Sequence, residues 1–142
     1  MTAPLPPELK FPLTPPVRFS AVPVPMSAVV ELLMTAIENG AAASRASTDS
    51  MRAILSRQEF NDEIPAGLPP GTRVAHKTGQ ITGHLHDAAI VYPQRRGPYV
   101  LVVLTRGIDD EKVARSLIAD ISRMVYDHAT AAGSAAAARD AR

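Results

Sequence analysis

A chain of 142 residues, 46% apolar and 20% charged, holds enough hydrophobic material for one domain with a core and too little length for two substantial ones. Its net charge of +1 gives no general pull toward nucleic acid or an anionic membrane, and the absence of cysteine excludes disulfides, thiolate nucleophiles and zinc–thiolate sites. No apolar run reaches the roughly 18 residues that would cross a bilayer, and the opening Met1-Thr-Ala-Pro-Leu-Pro-Pro lacks the basic-then-apolar order of a secretory signal; the chain as written is expected not to be exported.

Residues 1–25 hold eight of the 13 prolines, which forbids helix and disfavours central strand, so this leader is expected to be irregular or polyproline-like rather than a partner-binding motif. Over residues 26–39, Val29, Val30, Leu33, Met34 and Ile37 recur at the spacing of an amphipathic helix, with Ser27 as its cap and Gly40 as its stop. The connector 41–47 leads to a second helix, expected over 48–57, capped by Ser47 or Thr48 and burying Met51, Ile54 and Leu55. Prolines and glycines make 59–72 a loop, and the Pro-Pro-Gly-Thr turn sets the start of the next strand. Three strands follow, over 73–80, 86–92 and 98–105, with short links that predict an antiparallel meander. The last of them, Tyr99-Val-Leu-Val-Val-Leu104, is apolar on both faces and is expected to be covered on both. Asp109, Asp110 and Glu111 oppose the dipole at the start of a final helix, whose sheet-facing stripe is predicted as Val113, Leu117, Ile121, Met124, Val125 and His128. The fold class is therefore α+β: a core domain over 26–130, followed by an Ala-rich tail over 131–142.

The stretch most able to carry chemistry is Arg73-Val-Ala-His-Lys-Thr-Gly-Gln80. A cation, a hydroxyl and a residue without Cβ stand together at the end of an apolar strand, where a ligand can lie against the backbone. Together with Gln58-Glu-Phe-Asn-Asp-Glu-Ile-Pro-Ala-Gly-Leu-Pro-Pro-Gly-Thr-Arg-Val before it, and His86-Asp87-Ala-Ala-Ile-Val-Tyr92 and Tyr99-Val-Leu-Val-Val-Leu-Thr-Arg-Gly107 after it, this stretch resembles the C-terminal part of class A β-lactamases, whose motif set includes Lys-Thr-Gly.

The resemblance implies a partial β-lactamase-like fold. It implies that Lys77 supplies positive charge to a substrate carboxylate and that Thr78 hydrogen-bonds the same group. Gly79 keeps the edge open, Gln80 lends its backbone N–H to an oxyanion hole, and His86 stands where many relatives place a second cation. It implies a small β-lactam-like substrate, no cofactor, no nucleic acid and no membrane partner. A rival reading of His84, His86 and Asp87 as metal ligands lacks a further ligand fixed by spacing, and no metal is expected. His76 is read as a packed or hydrogen-bonded imidazole, and Arg106 as a local cap or ion pair.

The family's nucleophile is the serine of Ser-x-x-Lys, and none of the nine serines has lysine three residues later; Ser-Asp-Asn is also missing. The expected state is a half-site, with a clamp and part of an oxyanion hole but no nucleophile, inactive by itself. A D,D-peptidase or esterase of the same superfamily, or a non-catalytic module that keeps the clamp, remain open readings. In the family further strands complete the sheet beside the last one, so the strand at 99–105 is expected to leave an apolar edge, met by a complementing N-terminal half or by self-association.

Overall fold

The computed structural model describes residues 26–94 and 96–140, with 132–140 as backbone only; the expectations for the leader lie outside the described residues. It contains α1 (Met26–Glu38), α2 (Arg45–Leu55), a short 3-10 turn (Pro65–Gly67), β1 (Arg73–Ile81), β2 (His84–Tyr92), β3 (Tyr99–Leu104) and α3 (Glu111–Asp140). The three strands form one antiparallel sheet in the order β1-β2-β3. This is the predicted α+β meander with two helices before it and one after.

Several boundaries differ from the sequence expectation. Helix α2 starts earlier, because Ser44, not Ser47 or Thr48, accepts the hydrogen bond from the Ser47 N–H and caps it. Thr48 consequently lies inside the helix and is buried, while Ile54, predicted to be buried, is 63% exposed. Strand β1 continues through Ile81, and the hairpin reverses at Thr82 and Gly83, where Gly83 takes φ of +69°. The loop 59–72 contains the 3-10 turn, which the Pro65 and Gly67 signals mark only as irregular.

The sheet is covered on both faces. Ile64, Leu68, Leu85, Val91 and Val103 pack with Ala114 and Ile118 on the side of the 3-10 turn and α3. Met34 and Ile37 of α1 pack with Ala75, Ala88 and Ile90 on the other side. The covering of β3 agrees with its apolar character, since Leu101 joins the first cluster and Val100 and Val102 the second.

Helix α3 turns a different stripe to the sheet than its largest apolar residues suggest. Ala114, Ile118 and Ser122 are buried, whereas Val113, Leu117 and Met124 are exposed. The reason is close approach: a Cβ built on Gly67 would lie 2.0 Å from the Ala119 carbonyl oxygen, so the 3-10 turn and the helix backbone are nearly in contact. Only small side chains fit such a seam. Ser122 Oγ also donates to the Ile64 carbonyl at 2.9 Å, satisfying a buried acceptor of the loop.

Candidate functional site

Among the described residues β1 is an outermost strand, paired on one side only, and its second half carries four of the five sequence-predicted site residues. Register divides them between the two faces. Lys77 stands opposite Ala88 and Gly79 opposite His86, on the face shared with Ala75 and α1. Thr78 stands opposite Asp87 and Gln80 opposite Leu85, on the face toward the 3-10 turn and α3. Lys77, Gly79 and Gln80 are exposed, while Thr78 and His86 are half-buried.

Lys77 Nζ donates to the Thr78 carbonyl at 2.7 Å, and among the described residues no carboxylate pairs with it. Its charge is thus available to a ligand along the strand edge. Gly79 has ordinary backbone geometry, and an added Cβ would meet only His86 Cβ, at 3.9 Å. Nothing in the described residues demands glycine there for packing, so the missing side chain leaves free space above the edge.

His86 stands opposite Gly79 across the β1–β2 pair and is half-buried. Its Nδ1 accepts the Thr105 backbone N–H at 3.2 Å, which places a lone pair on that nitrogen and makes Nε2 the ring's donor in this arrangement. His84 is on the same face, with the two rings edge to face and centroids 6.1 Å apart. Asp87 belongs to the opposite face, so the sheet separates the trio weighed as metal ligands. Among the described residues no group of three His, Asp or Glu side chains is placed to hold a metal.

Beneath Thr78 lies a polar network that the sequence reading did not assign. Asp87, fully buried, accepts the Ile64 N–H at 3.0 Å on Oδ2 and faces His76 Nδ1 at 3.1 Å on Oδ1. His76 Nε2 faces Asn61 Oδ1 at 3.3 Å, and Asn61 Nδ2 donates to the carbonyls of Gln58 and Glu59. The expectation of a hydrogen-bonded imidazole at His76 agrees with this geometry. The network fastens loop 58–64 to the two strands exactly beside Lys77 and Thr78 in register, which limits how far that edge can move.

A second anchor holds Gln80. Its side-chain amide donates to Glu111 and its Oε1 accepts from Arg115 Nη2 at 3.4 Å. Arg115 Nη1 in turn reaches Glu63 Oε1 at 2.6 Å and Asp62 at 3.6 Å. Burial raises the Glu63 carboxyl above its ordinary value of 4.5, against the opposing pull of Arg115. Gln80 also borders a cavity of about 480 Å³ at the hairpin end, together with Ile81, His84, Asp109 and Glu111. Arg115 lies 52 positions beyond Glu63 and 53 beyond Asp62, and no spacing rule would have joined them.

Residues 27–129 match the model of a beta-lactamase enzyme family. Among curated proteins, the beta-lactamase of Bacillus amyloliquefaciens is 38% identical over 82 residues, which is 56% of this chain and 26% of that protein. The beta-lactamase of Bacillus licheniformis is 42% identical over 64 residues, 44% of this chain and 21% of its own length. Among solved structures, PBP-A aligns with a TM-score of 0.66 at 33% identity, covering 70% of this chain and 37% of that one. A beta-lactamase from Sphaerobacter thermophilus aligns with a TM-score of 0.62 at 31% identity, covering 66% of this chain and 36% of its own. The chain therefore spans about a quarter of the curated relatives it matches and under two-fifths of these solved ones.

Proposed function

Since the chain belongs to the beta-lactamase enzyme family, we propose that β1 from Lys77 to Gln80 is the carboxylate-gripping margin of a serine β-lactamase-like site. The observation that carries this reading is the outermost position of β1, with an exposed Lys77 that has no carboxylate partner among the described residues. A cation and a hydroxyl at a sheet margin hold an anionic group, and an adjacent backbone N–H stabilises the oxyanion that develops on a neighbouring carbonyl. Lys77 supplies the charge and Thr78 the hydroxyl. Gln80 supplies the N–H, kept in place through its side-chain bonds to Glu111 and Arg115. His86 contributes Nε2–H on the face of Lys77.

The reaction class is hydrolysis of a cyclic amide through an acyl-serine, and this chain holds only part of what that reaction needs. With no Ser-x-x-Lys among its serines, it lacks the nucleophile whose removal alone costs many orders of magnitude in such sites. We therefore read the chain as a portion of such a hydrolase, silent by itself and competent only together with a segment that carries the serine and its base. Purified chain is mixed with a chromogenic cephalosporin, alone and then with an N-terminal half carrying Ser-x-x-Lys. Turnover in the mixture and none with either part supports the reading. Turnover by this chain alone overturns it, and so does a mixture that forms a complex yet never hydrolyses the cephalosporin.

A further inference from the structure

Glu63 and Ile64 are neighbours in the chain and are fastened in two directions. The Ile64 N–H is held by Asp87 of β2, and the Glu63 carboxylate by Arg115 of α3. Arg115 also reaches the end of β1, where its Nη2 donates to Gln80 Oε1 at 3.4 Å. One guanidinium thus connects the loop, the helix and the strand margin.

Three carboxylates surround that guanidinium, and they are not equivalent. Asp62 and Glu111 are exposed and each stands 3.6 Å from it, so water screens their pull. Glu63 is only 1% exposed and meets Nη1 at 2.6 Å, while its Oε2 is buried with no hydrogen-bond partner among the described residues. A carboxylate so placed relies on Arg115 to offset its lost hydration, and in return it holds Nη1 at the loop. Nη2 is then left for Gln80 and Glu111. The Gln80 amide lies between opposite charges: its oxygen takes the Arg115 N–H and its nitrogen donates to Glu111. Turned over, it would set oxygen against carboxylate and N–H against guanidinium, so its orientation is fixed while Arg115 stays in place.

We propose that Glu63 is a positioning residue that, through Arg115, sets the place of Gln80 at the end of β1, and that protonation of Glu63 releases it. The neutral acid no longer pins Nη1, and Arg115 is drawn to the exposed Asp62 and Glu111 instead. The remaining charged or titratable neighbours of Glu63 are Asp87 of β2 and His76 of β1, which face each other at 3.1 Å. Burial raises the Glu63 carboxyl above 4.5, opposed by Arg115 and reinforced by Asp87 and Asp62, so the release comes at a higher pH than an ordinary carboxylate would give. The consequence for catalysis rests on the reading of Gln80 as an oxyanion donor; the coupling of Glu63 to Gln80 does not.

The test follows the backbone and side-chain amides of Gln80 by NMR in the full isotope-labelled chain as pH is varied, together with the carboxyl carbon of Glu63. The Gln80 amides should shift with the midpoint of Glu63, above 4.5. That step should vanish in Glu63→Gln and persist in Asp62→Asn and Glu111→Gln, which separates Glu63 from the acids beside it. With the N-terminal half added, Glu63→Gln should lower kcat for the cephalosporin by about 10-fold with KM little changed, because an oxyanion donor acts in the transition state. Gln80 amides that stay still at the Glu63 midpoint, or that move only with Asp62 or Glu111, overturn the proposal. The wild-type titration alone decides this even where the Glu63 variant does not fold. Coupled amides in a chain whose mixture never turns over support the coupling and strike only the reading of β1.

Discussion

Asp87 Oδ2 accepts the backbone N–H of Ile64 at 3.0 Å, joining positions 23 residues apart at the centre of the sheet. Both residues are fully buried, and His76 faces the other carboxylate oxygen. Removing the carboxylate would leave the Ile64 N–H and the imidazole without their acceptor. Asp87→Ala should therefore destabilise the chain by about 3–5 kcal/mol, while Asp87→Asn, which keeps an acceptor for Ile64, should cost clearly less. Urea unfolding compares them; equal losses would mean that the loop is not held by this acceptor.

Gly67→Ala tests the seam between the 3-10 turn and α3. The new Cβ would be driven into the Ala119 carbonyl, which is backbone and cannot swing away. A loss of at least about 1–3 kcal/mol is expected, since overpacking at a rigid contact must displace one element from the other. Gly79→Ala is its counterpart, expected to change stability by no more than about 0.5 kcal/mol because nothing crowds that position.

The same Gly79→Ala change separates packing from ligand binding. If the margin of β1 holds a ligand against its backbone, the added methyl should weaken turnover in the two-part mixture while leaving the melting temperature in place. Lys77→Met should lower that turnover by about 100-fold or more, again without a stability change, because among the described residues Lys77 bonds only to its neighbour's carbonyl. A parallel loss of activity and stability in either variant would point to a structural role.

Alkaline pH should weaken the fold through two phenols. Burial pushes Tyr92 and Tyr99 up to about 12, with Tyr92 raised further by its hydrogen bond to Glu38. An unfolded phenol ionises near 10, so between 10 and about 12 the unfolded chain releases protons that the folded chain keeps. Stability is therefore retained below 10 and lost as pH rises across that window. Tyr99→Phe should flatten the decline, measured as the melting temperature against pH. Glu63 acts with the same sign lower down: its raised carboxyl favours folding less as pH climbs above 4.5, opposite to a carboxylate held by a strong ion pair.

The strands and the cap-rich start of α3 were legible because alternation, glycine and acidic residues act locally. Asp110 Oδ1 accepts the Lys112 N–H at 2.8 Å, as a residue at a helix start should. The buried face of α3 was not legible, because counting apolar bulk favours Val113, Leu117 and Met124, whereas the fold buries Ala114, Ile118 and Ser122, with Ser122 and the Ala119 backbone packed against Gly67. At the site, Lys77 to Gln80 could be read from the resemblance carried by a short motif. The network of Asp87, His76, Asn61 and Glu63 could not, since charged residues in strands and loops read as solvated until partners distant in sequence are brought beside them.

Strand β2 stands between the other two, so among the described residues it alone has both of its edges paired. Its amides should exchange with solvent more slowly than those of either neighbour, because releasing them requires the sheet itself to open.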